Sequence, residues 1–423
     1  MRTLDADAVA RAASNDPAWR RAQRAAAFSR YQALGMPSSA DEMWRYVDLD
    51  FGLDDFALVD VPGQPSDGAL PGFDAKRRVV VVDGVASSSP MDDGKIWVGP
   101  LSRATSTRGD VVEMAAERGV PIDLDAFAAA HRAFGGDGAL VHVGRGAVSE
   151  PVIVEVHAAT DGIVSFPRTL VVAEENAEAS VVVHLVSGAT VGALVVPQLE
   201  VLAGPGANVK VSVVQNLGRT MRSISHTRAV LDRDASLVMA EAGLGAALSR
   251  LHLTVDLEGR GSSAKIVGAY FGDRSQVLDY RYFMHHAGLN TRSDMFLKGA
   301  VEDEALSVFT GMIRIDESAQ RTDAFQTNRN LILSDGAAAQ SVPNLEILAN
   351  DVRCGHGSTV GPLDEEQRYY LMSRGLDPER ADRLQVRGFF EEAIARFPHD
   401  AVAGPLREWI NAKFIEAQEE GRL

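Results

Sequence analysis

One short phrase returns along the middle of this chain: a turn of Gly, Asn or Asp, then a small residue, then a β-branched run. It is visible in "AEENAEASVVVHLV", "LAGPGANVKVSVVQ", "LDRDASLVMAEA" and "LEGRGSSAKIVGAYF". The small residue falls at Ala179, Ala207, Ala235 and Ser263, in three equal steps. The phrase comes back at Ala305, one and a half such steps on, and again at Ala337 after a slightly longer one. Self-similarity at a period of about 30 residues, without helical periodicity, implies stacked β-structure. A β-sandwich would turn every ~8–12 residues. The longer period favours a parallel β-helix whose coils each hold several strands, with Val and Leu filling the interior in layers. Residues 138–361 are assigned to this core.

The flanks read differently. Residues 1–76 form an N-terminal helical region and linker. "NDPAWRRAQRAAAFSRYQALGMP" predicts a helix capped by Asp16, with Pro17 at its first position and Gly35 as its stop. Its expected apolar stripe is Trp19, Ala22, Ala26, Tyr31 and Leu34. "PSSADEMWRYVDLDFG" predicts a second short helix capped by Ser39 or Asp41, followed by a Pro- and Gly-rich linker. Residues 77–137 are a mixed α/β transition with one strand-like run, Val79 to Val82, and helical runs around 111–117 and 124–134. Residues 362–423 form a C-terminal helical domain. Acidic residues open a first helix that stops at Gly375. Asp377 and Pro378 open a second, with Leu384, Phe389, Phe390, Ile394 and Phe397 available for burial. A third is expected from about Pro405, its stripe Leu406, Trp409, Ile410 and Phe414 packing inside its own domain.

Composition excludes several classes of function. The chain of 423 residues carries a formal charge of −16, which argues against nucleic acid or an anionic membrane as its main partner. No apolar run follows a basic start, so no signal peptide is expected, and no apolar stretch is long enough to span a bilayer. The single cysteine cannot form an internal disulfide, which fits a reducing cytoplasm. There is no P-loop, no G-x-S-x-G elbow and no H-x-x-x-H pair among the ten histidines. "GRGSSA" from Gly259 is followed by a strand pattern rather than a helix, so it is a poor dinucleotide site. His285 and His286 are adjacent and should face opposite sides of a strand. His184, His226 and His252 lie in strand runs and read as structural. A β-helix carbohydrate enzyme is disfavoured by 6% aromatic content and by the lack of an acidic cluster in the repeats.

One constellation carries chemistry. "NDVRCGHGSTVGPLDEE" places Cys354 and His356 two positions apart with Gly355 and Gly357 beside them. In an extended segment both side chains project from one face, and both are ligands for iron or zinc. Two ligands are too few for a tetrahedral zinc or a four-iron cluster. Three readings stay open from the residues alone: a buried structural cysteine, a Cys–His nucleophile lacking its orienting group, or a half-site completed by another subunit.

"SVPNLEILANDVRCGHGSTVGPLDEEQRYYLMSRGL" and "ADRLQVRGFFEEAIARFP" closely resemble the C-terminal signature of the SufD family, iron–sulfur cluster assembly proteins of the SUF system. "GMPSSADEMWRYVDLDF" is similar to the N-terminal signature of the same family. The resemblance covers essentially the whole chain. It implies a right-handed parallel β-helix between helical parts, in a mainly β, cytoplasmic, non-catalytic scaffold subunit. It implies a SufB-like paralogue joined through the β-helices and a SufC-like ABC-type ATPase bound by the C-terminal helices. Tyr369, Tyr370, Leu384, Phe389, Phe390 and Ile394 are the candidate contacts with the ATPase. Nucleotide would be bound by that partner, not by this chain. Cys354 and His356 would lie at the paralogue interface, the histidine the better supported, in a composite site for iron or a nascent iron–sulfur cluster held transiently between subunits. Without its paralogue a homodimer is a further expectation, and a purely structural docking role is the rival reading.

Overall fold

The computed structural model describes residues 2–66, 70–71, 73 and 75–419. It is mainly β, a parallel β-solenoid of about eight turns with helices at both ends of the chain. Among the described residues, two sheets of ten and twelve strands form the walls, each coil giving one long strand to each. The ten-stranded sheet begins at the antiparallel pair Val85–Ala86 and Arg77–Val82 and then runs parallel to Arg353–Gly361. The twelve-stranded sheet begins at the antiparallel strands Met91–Asp92 and Ile96–Pro100 and ends at Ala338–Ile347. Alternate residues point inward and build one continuous apolar core, from Val79 through Val154, Val211, Met239 and Leu253 to Ile313. Where helices cover the outer face too, whole strands such as Arg168–Ala173 and Gln198–Ala203 are buried on both sides.

The corners explain the repeated phrase. Gly146, Asn176, Gly206, Asp234, Gly261, Asn290 and Arg321 all adopt positive φ, from 56° at Asp234 to 77° at Gly261. Each turns its N–H toward the following coil: Asn176 N donates to Pro205 O (2.9 Å), Gly206 N to Arg233 O (2.8 Å) and Asp234 N to Arg260 O (2.9 Å). A small residue follows each in register: Ala147, Ala177, Ala207, Ala235, Ser262, Thr291 and Thr322. The spacing of these corners is therefore uneven, shortest before Ser262 and longest before Thr322. Of the sequence markers, Ala207 and Ala235 are corners, whereas Ala179 and Ser263 lie slightly past theirs, at Ala177 and Ser262. Ala305 and Ala337 belong to a second corner on the opposite sheet. A fixed period misses this, because single insertions at a turn leave strand pairing intact.

Helix α1 (Ala6–Ala12) precedes α2 (Ala18–Leu34), which starts one position later than Asp16 and Pro17 suggest. Pro17 is the cap residue, and Asp16 instead pairs with Arg24 (2.5 Å). Of the expected stripe, Trp19 and Tyr31 pack against the core, while Ala22 and Ala26 are exposed and the fully buried residues of α2 are Arg24 and Ala27. The second N-terminal helix is only a single 3₁₀ turn, Glu42–Trp44. Beyond the strand at Arg77–Val82, the 77–137 stretch adds Ile96–Pro100, α3 (Leu101–Thr107), α4 (Gly109–Arg118) and α5 (Ala126–Phe134). These helices cover the twelve-stranded sheet and the neighbouring coil edge through Leu101, Val112, Phe127 and Phe134.

At the other end, α7 (Pro378–Ile394) has the expected cap, Asp377, and α6 (Glu365–Ser373) opens, as expected, on acidic residues, with Asp364 as its cap. Helix α8 (Asp400–Glu419) starts a turn earlier than expected and carries Pro405 inside it. Leu406, Ile410 and Phe414 share a core with Val386, Phe390 and Ile394 of α7, but also with Val214, Ala242, Val267 and Phe271 on the ten-stranded sheet, so the stripe is not buried inside its own domain alone. Lys413 Nζ reaches Asp273 and Gln276, clamping α8 to the solenoid. His399 is held between Ser180 (2.9 Å) and Ser212 (2.7 Å), and the His184 ring stacks on Trp409. His285 and His286 do face opposite ways: His285 joins Asp256 and Asp316 on the outer face, and His286 bonds Thr291 and Ser293 inside.

Two outcomes follow. Replacing Asp234 by Val should lower stability by about 1–3 kcal/mol, because a β-branched residue resists positive φ, while Asp234→Gly should be close to neutral. Denaturant midpoints of the two variants measure this; equal midpoints would disprove the corner argument. Burial also depresses the His184 and His399 imidazoles to about 4. Between the ordinary imidazole value of 6.5 and about 4 the unfolded chain takes up protons that these groups in the folded chain refuse, so stability falls as pH drops through that window. Each such proton gives a slope of about 1.4 kcal/mol per pH unit. His184→Phe should flatten the measured slope by one proton's worth.

Candidate functional site at the open end of the solenoid

The last coil is built from Ala338–Ile347 and Arg353–Gly361, and each is the terminal strand of its sheet. Each pairs on one side only, with Leu306–Ile315 and Asp323–Ile332 respectively. Their other edges carry unpaired N–H and C=O groups, which is the condition for adding a strand. Ile347, Leu348 and Val360 are exposed around this end, and so is Phe325 on the outer face.

Cys354 and His356 both lie on this terminal strand. Cys354 is in register with Ala324 and His356 with Gln326, and both of those residues are fully buried. The two side chains therefore share the inward row, as i and i+2 spacing predicts, but their environments differ. Cys354 is half-buried and packs on the end of the apolar interior; burial raises its thiol above the ordinary value. His356 is exposed. Among the described residues no three His, Cys, Asp or Glu side chains gather into a metal-holding arrangement. Any ion bound by Cys354 and His356 would take its other ligands from outside the chain.

The two glycines act differently. At Gly355 an added Cβ would sit 2.9 Å from the Phe325 ring, so that space is already filled. Gly357 has nothing within 4 Å and leaves the strand open beside His356.

Behind this end lies a polar layer that the sequence reading missed. Ser358 Oγ donates to Ser341 Oγ (2.6 Å), Ser341 to Asn328 Oδ1 (2.9 Å), and Asn328 Nδ2 to Tyr270 OH (3.0 Å). Asn330 and Gln326 complete it, Gln326 donating to Asn344 O (3.2 Å). The signal was present in "QTNRN": amides at alternate positions of a strand whose alternate positions face inward.

The expected ATPase contacts separate into two groups. Tyr369 (76%), Tyr370 (57%) and Leu384 (47%) are exposed. Phe390 and Ile394 are buried against the solenoid and hold α7 in place, so they present no surface to a partner. Phe389 is half-buried and, with Leu331, Leu363, Leu371 and Leu384, lines a cleft of about 520 Å³ between α6, α7 and the sheet. No residue of α6 is buried, and Arg368 ties that helix to Asp382 of α7. Of the exposed aromatics, Tyr369 and Tyr370 are neighbours on α6, while Tyr46 and Phe325 lie on other elements. No described helix is long and apolar enough to cross a membrane.

Residues 156–389 match the family model described as SUF system FeS cluster assembly, SufBD core domain. The chain belongs to the SufBD family. An iron–sulfur cluster assembly SufBD family protein of Mycobacterium leprae is 32% identical over 381 residues, covering 86% of this chain and 87% of that one. One from Mycobacterium tuberculosis is 36% identical over 301 residues, 69% of this chain and 74% of that protein. Escherichia coli iron–sulfur cluster assembly protein SufD is 28% identical over 371 residues, covering 85% of this chain and 84% of that protein. The SufBD match includes both Cys354 and His356 and extends into α7, so the candidate site lies within the shared core. The chain thus takes part in SUF iron–sulfur cluster assembly.

The raised thiol gives a measurable consequence. Alkylation of Cys354 at pH 7–8 should be slower than that of a free cysteine and should accelerate as pH rises past the ordinary thiol range. Rates of iodoacetamide labelling across pH check this; a fast reaction at pH 7 would mean an activated thiolate.

Proposed function

We propose that this chain is a SufD-like, non-catalytic subunit of an iron–sulfur cluster assembly scaffold. It pairs with a SufB-like paralogue through the open end of its solenoid and with a SufC-like ATPase through α6 and α7. The nascent cluster, or its iron, is cargo held between subunits and then released, and ATP hydrolysis belongs to the partner. The observation that carries this reading is His356, exposed on a terminal strand whose outer edge is free. A strand from a second polypeptide could continue the sheet there and bring further ligands to the imidazole.

Between the two residues the ligand role rests more on His356. Cys354 is half-buried with a raised thiol, so less thiolate is present to bind iron, and its packing favours a structural part in closing the interior. For the ATPase the supporting surface is narrower than the sequence suggested: Tyr369, Tyr370 and Leu384, with Phe389 at the cleft wall. A SufD-like subunit of this kind works in the cytoplasm.

The test is co-expression with the paralogue and the ATPase, followed by anaerobic cluster reconstitution. His356→Ala should co-purify in the same complex yet assemble clusters about tenfold or more slowly, the scale of loss seen when groups around metal sites are removed. Wild-type assembly by that variant would leave a docking subunit without a ligand role. Failure of the partners to co-purify would remove the scaffold reading itself.

A further inference from the structure

We propose that a small cavity between the N-terminal helices and the twelve-stranded sheet is a binding site for an oxyanion group. It lies far from the Cys354 end in the sequence and is independent of the assembly reading. Its walls come from α2, α5, the turn after α5 and the strand Arg168–Ala173. Four guanidinium groups converge there: Arg20, Arg24, Arg132 and Arg168. The cavity is about 20 Å³, room for one or two oxygens of an anion whose remaining atoms would stay at the exposed rim by Gly136.

The carboxylates nearby do not match these charges. Asp16 pairs with Arg24 (2.5 Å) and, at 3.5 Å, with Arg20. The fully buried Glu200 takes Arg168 Nε (2.7 Å) and Arg132 Nη2 (3.4 Å). Asp137, also at the wall, spends its oxygens on Ser102 N (2.8 Å), Ser102 Oγ (3.0 Å) and Ala86 N (3.3 Å). Four cations thus face three carboxylates, Asp16, Glu200 and Asp137, and the wall is one negative charge short of balance. His131, on the same wall, is kept neutral by its burial, so it adds no positive charge.

The donors are also underused. Arg20 spends one nitrogen on Thr105 Oγ1 (3.0 Å) and one on Gly136 O (3.1 Å); Arg132 gives Nη1 to Ala116 O (3.0 Å) and Nη2 to Val120 O (3.3 Å), but its buried Nε has no partner among the described residues. An uncompensated buried donor costs free energy, and crowded cations cost more. The mutual repulsion shows in Arg20 and Arg132, both pushed down to about 10 by burial and by the neighbouring arginines. In a chain of net charge −16 this is a local excess of positive charge around a hollow. Planar guanidinium forks suit the oxygens of phosphate, sulfate or carboxylate, and an anion seated there would relieve both defects.

Inorganic phosphate is the probe, at constant ionic strength against chloride, with the full chain. Wild-type protein should show a saturable rise in melting temperature and a calorimetric binding signal. Arg20→Gln, at a partly exposed position, should keep its fold by circular dichroism but weaken phosphate binding at least tenfold. Arg11→Gln, exposed on α1, should bind as wild type. Acetate in place of phosphate distinguishes the sources: binding of both assigns the site to any oxyanion group, and binding of acetate alone assigns it to a carboxylate. No saturable response to either, or an equal response in Arg20→Gln, overturns the site.

Discussion

Everything in this molecule rests on backbone hydrogen bonds that run from coil to coil without stopping at the corners. In an ordinary sheet the ladder ends where the chain turns. Here the turning residue takes positive φ and sends its N–H to a carbonyl of the following coil, as Gly206 does to Arg233 and Asn290 to Gln320. Each bond contributes only about 0.5–1.5 kcal/mol net. Their regularity nonetheless leaves almost no choice of side chain at two adjacent positions. The first must tolerate left-handed geometry and the second must be small enough to sit inside the bend.

That same continuity makes the end of the stack a problem. A ladder satisfied by its neighbour at every level has no neighbour at the last one, and its interior opens to water. The molecule answers by changing the chemistry of the interior. Valine and leucine give way to Gln326, Asn328, Asn330, Ser341 and Ser358, which hydrogen-bond one another beneath the terminal strand. Tyr270 anchors this layer from below. A polar end with free strand edges is stable in solution yet ready to be continued, and that is the setting in which His356 stands.

The outer faces are used unequally. The C-terminal helices cover the ten-stranded sheet with an apolar layer locked by the Lys413–Asp273 clamp and by neutral imidazoles. The N-terminal helices cover the other sheet through apolar side chains too, but buried arginines join them, Arg24 of α2 reaching the carbonyl of Ala133 on α5. One layer is largely apolar and closed by paired charges, and the other gathers arginines around a hollow. That contrast arises from where the helices land, since both layers are amphipathic segments on the same scaffold.

Sequence alone determined the backbone: the turn phrase encodes dihedral angles, and dihedral angles are local. For the same reason the cap at Asp377, the acidic start of α6 and the shared face of Cys354 and His356 were legible, each depending on residues within a few positions. The family signature at the C-terminal end was legible too. Tertiary structure decided what neighbours across the coils would allow. It shifted the corner to Ser262, turned Phe390 and Ile394 inward, filled the space at Gly355 with Phe325 and half-buried Cys354. It also gathered arginines from three distant segments around one hollow. Those outcomes depend on contacts between residues far apart along the chain, and no short stretch of sequence carries them.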